Sequence, residues 1–390
     1  MSDSDVTLDT SDVDRWVGVP LGGGELRDPV VANDIRRWSQ GMQNANPLYY
    51  DDDYAAESRF GRLVAPQSFG VAVDVGHGAT PAIQGTIPGS HMLFGGDEWW
   101  FFGGRIVPGD SIHLERMLFD YRVTDTSFAG PTMFSRGDTT YINQHGEILA
   151  KQRSTSIRYL VEEARKRAKF QADDPEPQWT DAQLSDIAEQ QFEYFSEIQS
   201  RGHAKRLWKS VDDGAKLPDR VIGPHSIQSF TTEWRSYNMN IWGAQRYRGI
   251  SSTNQAGWLA EMSRDMTRSQ VVPVLGDGLY NGPSRGHVQQ RYAQLIGMPR
   301  GYGYGASMGA WILDYLGNWA GEWGYVVHSN AQFRSPALTG DLTTLSGTVT
   351  GKEVDAATGE HLVEVLFTMM DQHEAIMARG KAKLALPVEE

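Results

Sequence analysis

The chain contains no cysteine at all. That removes disulfides, thiolate nucleophiles and cysteine-based zinc sites in one stroke. It also lacks any run of eighteen or more apolar residues, so no segment reads as a membrane-spanning helix. The first thirty residues are acidic and polar rather than basic and then apolar, which is not a secretory leader, and a cytoplasmic protein is expected. Positive charge is scarce as well. A net charge of −13 argues against nucleic acid as a partner, because binding a phosphate backbone requires a basic surface that displaces counterions.

Aromatic weight is what the chain has in excess, with 12 Trp and 15 Tyr among 390 residues. Such residues suit large apolar pockets and interfaces. One window reverses the overall charge. Between Gln245 and Arg300 stand Arg246, Arg248, Arg264, Arg268, Arg285, Arg291 and Arg300, opposed only by Glu261, Asp265 and Asp277. This is either a solvated basic loop or a landing surface for a polyanionic small molecule, since the guanidinium fork matches phosphate oxygens.

The length suggests two domains, and the sequence resembles itself at an offset of about 230 residues. Asn143 to Lys151 is echoed by Asp371 to Arg379, and Gly109-Asp110 by Gly340-Asp341. Tyr54-Ala55 and Gly61 are echoed by Tyr292-Ala293 and Gly297. The order of landmarks is preserved, which indicates a duplicated domain. Each copy reads as a helix, a loop, a longer apolar helix and a run of antiparallel strands, an α+β architecture. The expected division is residues 1–160, a linker at 161–204 that carries no visible chemistry, and residues 205–390 with an insertion at about 237–286.

Asn46-Pro47-Leu48-Tyr49-Tyr50-Asp51, followed by Tyr54-Ala55, Gly61 and Leu63-Val64-Ala65-Pro66, resembles the hydratase motif of the MaoC-like acyl dehydratases (enoyl-CoA hydratase 2 family), in particular those with a dehydratase domain related to fatty acid synthase. The resemblance implies a double hotdog, each unit a long central helix wrapped by an antiparallel sheet. The family motif is Gly-Asp-x-Asn-Pro-x-His, with Asp and His catalytic. Asn44 stands at the Asp place and Tyr49 at the His place, so the first unit reads as a degenerate copy.

In the second unit His287, Tyr292-Ala293, Gly297, Pro299-Arg300 and Gly305 follow the family's order. The resemblance makes His287 the first catalytic candidate and Gly305 the oxyanion-hole residue. Its acidic partner is less defined. Asp277 lies ten residues upstream where the family has five, and Asn281 can occupy the place instead. Arg285, Arg300 and Tyr304 are candidate substrate contacts. Read without the motif order, His287 is a polar residue in a Gly-rich loop, Asp277 a turn residue, and Gly301, Gly303 and Gly305 a tight turn before a helix.

The chemistry requires these residue types. A carboxylate and an imidazole sharing one water can take its proton as it attacks the β-carbon of an enoyl thioester. Backbone N–H groups at a helix start can receive the charge that builds on the thioester oxygen. The implied activity is an acyl-coenzyme A hydratase or dehydratase acting on a 2-enoyl-CoA, with a bulky or aromatic acyl group walled by some of Trp99, Trp100, Phe101, Phe102, Trp234, Trp242, Trp258, Trp311, Trp319 and Trp323. The alternatives are a thioesterase on the same fold and a non-catalytic acyl-CoA-binding subunit. No cofactor or metal is expected, coenzyme A being part of the substrate. Homodimers or higher homo-oligomers are expected. Gly305-Ala306-Ser307-Met308-Gly309 matches the serine-hydrolase elbow pattern, but the stretch before it is too Gly-rich for the strand that the elbow needs.

Overall fold

In the computed structural model the described residues are 6–22, 25–26, 28–74, 78–167, 174–237, 245–246 and 285–389. Two runs of alternating apolar and polar residues form the strands. The first contains β1 (Pro20–Leu21), β2 (Ser90–Phe101), β3 (His113–Thr126), β4 (Gly130–Ile142) and β5 (Ile148–Leu160). The second contains β6 (Lys216–Ile222), β7 (Tyr325–Phe333), β8 (Thr343–Val354), β9 (His361–Met370) and β10 (Ile376–Ala385). Burial alternates along β4, with Met133, Ser135, Gly137, Thr139 and Tyr141 facing inward.

All ten strands form one antiparallel sheet in the order β1-β3-β4-β5-β2-β7-β10-β9-β8-β6. The order is a palindrome about the β2–β7 seam, which places the two copies across an approximate twofold axis. Gly96 pairs with Gln332 and Trp100 with His328 at the seam. Gly96 has a φ of 149°, and a side chain there would start 2.3 Å from the Ala331 carbonyl oxygen. Glycine is what lets the two sheets close on each other.

The repeated sequence landmarks become repeated hydrogen bonds. Gln144 donates to Asp110 (3.0 Å) and accepts from the Ser111 amide, while Gln372 donates to Asp341 (2.8 Å) and accepts from the Leu342 amide. Each Gln ties a hairpin tip to the Gly-Asp turn that feeds the next strand. His145 and His373 sit on these exposed tips.

The units differ in their central helices. In the second unit α6 (Gly305–Ala320) runs sixteen residues, buried along nearly its whole length. The expectation of a matching long helix in the first unit is not met. There a 3-10 turn, Gln67–Phe69, leads only into Gly70–Val73. Asp74 is then extended and buried in an ion pair with Arg116 (3.0 Å), and the following sequence carries Gly76, Gly78 and Pro81, all poor helix residues. Aromatic rings fill the space beside this short helix, where Trp99 stacks on Phe101 and Tyr141 and packs against Gly70.

The linker contributes α2 (Asp181–Arg201), opened by a capping box at Thr180 and Gln183. Its last residue, Arg201, donates to the carbonyls of Trp319 (2.7 Å) and Asn318 (2.8 Å), and Arg206 also donates to Trp319. These cations occupy the carbonyl end of α6 and compensate its unpaired acceptors. Further helices are α1 (Ala32–Gly41), α3 (Ile227–Ser236), α4 (Arg285–Val288) and α5 (Gln290–Leu295). α1 and α3 cross where Gly41 meets Ser236, a Cβ on Gly41 falling 2.6 Å from that of Ser236. No helix among the described residues is long and apolar enough to cross a membrane.

Candidate active site

His287 lies on the one-turn helix α4 and faces a cavity of about 440 Å³ between the units. Its ring packs 4.0 Å from Tyr304 and 4.3 Å from Tyr302, measured between centroids. Nδ1 lies 2.5 Å from the Tyr302 carbonyl oxygen. A carbonyl can only accept, so Nδ1 carries the proton and Nε2 keeps a lone pair. Burial pushes the His287 pKa down to about 4, the Tyr302 carbonyl acting in the opposite sense. The residue is therefore a neutral imidazole of fixed tautomer at neutral pH.

Tyr302 follows the family-like Pro299-Arg300 and pairs with Leu338 as an isolated bridge, which fixes the carbonyl that holds His287. Tyr304 is the N-cap of α6 and offers no side-chain acceptor to the first turn. Gly305 begins the helix and lines the same cavity. A Cβ on Gly305 would lie 2.4 Å from that of Phe94 on β2, so only glycine permits this approach of helix start to strand. The N-terminal end of α6 thus opens onto the cavity beside His287, where its amide dipoles favour negative charge.

Behind the wall lies a buried carboxyl. Glu233 of α3 is fully buried, and neither oxygen makes a hydrogen bond of good geometry, although Ser307 is near enough to draw its pKa down slightly. Burial dominates and raises it to about 8. Ser307 itself shares a 2.7 Å hydrogen bond with the Tyr237 hydroxyl and sits within α6 rather than on a strand-to-helix elbow. That arrangement suits packing, not nucleophilic attack.

The remaining predicted residues divide sharply. Arg300 is buried and committed: it donates to Asp341 (2.9 Å) and to the Pro175 carbonyl (3.2 Å) and lies 3.5 Å from Asp174. Its guanidinium anchors the linker and the Gly340-Asp341 turn, which corrects its reading as a substrate contact. Arg285 opens α4, but its side chain lies outside the described residues, as do Asp277, Asn281 and most of the basic window. Of the ten aromatic residues proposed as walls, Trp234 lines this cavity. Trp99, Phe101, Trp311 and Trp319 are buried in the shared core, Phe102 is 54% exposed, and Trp242 and Trp258 lie outside the described residues.

The corresponding place in the first unit is closed by amides. Asn46 donates to Asn318 (2.9 Å), and Asn318 donates to Asn44 (3.1 Å). Next to them the Trp38 indole donates to Ser68, whose hydroxyl donates to Asp314 (2.6 Å). Tyr49 is buried in the core at 3% exposure. Asn44, at the place where the resemblance expects the catalytic Asp, therefore ties the first unit to α6, and Tyr49, at the His place, is buried in the core.

Sequence reasoning missed His91, Phe94 and Phe333. All three line the His287 cavity, His91 and Phe94 from β2 of the first unit. The only signal available was the repeat itself, which predicts a seam between equivalent strands and hence first-unit residues beside the second-unit site.

Residues 15–152 match the family described as FAS1-like, dehydratase domain region. Over 158 residues the chain is 30% identical to the "Probable enoyl-CoA hydratase alpha subunit" of Thermomonospora curvata, a match covering 37% of this chain and 50% of that protein. The chain thus spans about half the length of this curated relative. Among solved structures, one titled "MaoC-like dehydratase" superposes with a TM-score of 0.60 at 15% identity, covering 96% of this chain and 99% of that one. A putative MaoC domain protein dehydratase from Chloroflexus aurantiacus J-10-fl gives 0.55 at 11% identity, covering 97% of each chain. These structures share the arrangement of nearly the whole chain, and the family match falls on the first unit. The chain is therefore similar in fold, over nearly its whole length, to these MaoC-like dehydratase structures, and residues 15–152 match the FAS1-like dehydratase region.

Proposed function

We propose that the chain adds water to, or removes it from, the double bond of a 2-enoyl-coenzyme A thioester, a hydro-lyase reaction carried by the second unit. The observation that supports this most directly is His287: a neutral imidazole, its Nδ1 bound to a backbone carbonyl, beside the open N-terminal end of α6.

In the hydration direction His287 Nε2 accepts a proton from water as the oxygen bonds to the β-carbon. The alkene electrons move toward the thioester, and the developing charge on its oxygen lies at the start of α6, near Gly305. The proton then passes to the α-carbon, which balances the addition. Asp277, or Asn281 in its place, is the proposed partner of His287. Arg285 is the proposed contact to coenzyme A phosphates, and Tyr304 orients the imidazole and contacts the thioester.

The acyl group is proposed to be bulky and apolar. Phe94 and Phe333 stack at 5.8 Å in the cavity wall, and Met298 and Met308 supply adaptable apolar surface. A thioesterase would call for a carboxylate beside the thioester carbonyl, and no Asp or Glu lines this cavity among the described residues. The experiment is to mix the purified chain with a panel of 2-enoyl-CoA compounds while following the enoyl-thioester absorbance and free thiol together. Loss of the band without thiol supports hydration. Thiol release identifies a thioesterase, and binding without turnover a non-catalytic acyl-CoA carrier.

A further inference from the structure

We infer that His91, supplied by the first unit, holds the attacking water together with His287. The inference rests on the hydration reading above and deepens it.

His91 is the second residue of β2 and faces the same cavity as His287. The two imidazoles are near enough that a charge on His91 disfavours one on His287. His91 is held edge-on by the Tyr159 ring, with centroids 5.9 Å apart, and β5 pairs Tyr159 with it directly. Tyr159 in turn donates to the Ile296 carbonyl (2.9 Å), in the loop that leads from α5 toward Tyr302. One short relay of contacts therefore sets both imidazoles. Leu93, on the same face of the strand, packs against the cluster of Ala293, Ile296, Met298, Tyr302 and Leu338.

A structural role alone does not account for a histidine here. Its Nε2 is buried with no hydrogen-bond partner, in a cavity whose lining includes Leu93, Phe94, Met298 and Met308 beside Ser90 and Ser156. Leaving a polar nitrogen unpaired costs free energy that a Leu or Phe at this place would avoid. Burial pushes its pKa down to about 4, so the ring is neutral and presents one donor and one acceptor. A ligand that restores the lost hydrogen bond in this cavity is water or the thioester itself. With His287 Nε2 as the proton acceptor, a second neutral imidazole can orient the water's remaining hydrogen or its lone pair without gaining or losing a proton. The addition stays balanced as written above.

Two variants and one observation on the unaltered protein test this. His91→Phe keeps the ring and removes the nitrogens; His91→Gln keeps hydrogen bonding. The expected result is a kcat for hydration lowered about 10- to 100-fold in His91→Phe with little change in KM, and partly restored in His91→Gln. A His91→Phe enzyme with unaltered kcat overturns the proposal. Should His91→Phe fail to fold, the imidazole nitrogen resonances of the unaltered chain decide. Adding a saturated acyl-CoA is expected to move the signals of both His91 and His287, and a His91 signal that stays fixed while His287 moves overturns the proposal. Both signals moving with no hydration of any enoyl-CoA overturns the reaction itself, and the water-holding role with it; hydration at full rate in His91→Phe overturns the role alone.

Discussion

His287 binds the carbonyl of Tyr302 through Nδ1 at 2.5 Å, so the backbone of one loop determines which nitrogen of the ring is basic. Because burial holds the folded-state pKa near 4, below the ordinary 6.5, the neutral base form persists at all pH values well above 4. The acid limb of kcat/KM for hydration is therefore expected near pH 4, not 6.5. A pH–rate profile checks this, and an acid limb at 6.5 would mean that His287 is not the base in the free enzyme.

Gly305 and Phe94 meet too closely for any side chain on the helix start. Gly305→Ala is expected to lower stability by about 1–3 kcal/mol, as overpacking does, and to reduce kcat by displacing the α6 start from the cavity. Urea unfolding and steady-state kinetics on the same preparation test both. A variant of normal stability and rate would show that the helix start is not fixed by this contact.

Arg300 and Asp341 form a buried pair, 2.9 Å apart. Arg300→Ala is expected to cost about 3–5 kcal/mol of stability because it leaves a carboxylate buried without its partner. A residue reading coenzyme A phosphates would instead raise KM at unchanged stability. Chemical denaturation alongside KM for an enoyl-CoA separates the two roles.

Glu233 has a pKa raised to about 8 in the folded state against an ordinary 4.5. Above pH 4.5 the unfolded chain releases this proton while the folded chain retains it, so the residue opposes folding increasingly up to about pH 8. Glu233→Gln is expected to stabilise the protein at pH 7 by something on the order of 2–3 kcal/mol, with little gain at pH 4. Unfolding midpoints at both pH values measure it. A stability loss at pH 7 would mean that the carboxylate has a partner in solution.

The amides of Asn44, Asn46 and Asn318 bear structural weight between the units. Asn318→Ala removes both an acceptor for Asn46 and a donor to Asn44, and about 1–3 kcal/mol of stability is expected to go with them while KM is unchanged. Thermal unfolding with parallel kinetics tests the separation.

What was legible in the sequence follows from how local its causes are. The Gly-Asp turns and the hairpin tips at 143–151 and 371–379 are local turn sequences, so the repeat exposed a run of antiparallel strands in each copy. The long α6 was legible because Met308, Trp311, Ile312, Tyr315 and Leu316 fall at helical spacing. The short counterpart at Gly70–Val73 was not, since its ending depends on Asp74 finding Arg116 forty-two residues away. His287 was legible as a candidate through the order of its motif, and the structure places it on the cavity wall. His91 was not, because only the β2–β7 seam brings the first unit's strand beside the second unit's loop. Arg300 was misread for a similar reason: its partners Asp341 and Asp174 are remote in sequence, and a lone Arg beside a Pro gives no sign of being already paired.

The most direct test compares His287→Ala with Tyr49→Phe on the enoyl-CoA that the unaltered protein hydrates fastest. If the second unit carries the chemistry, His287→Ala loses about 10²- to 10⁴-fold in kcat and Tyr49→Phe retains the full rate. Full activity in His287→Ala, or its loss in Tyr49→Phe, would contradict the account.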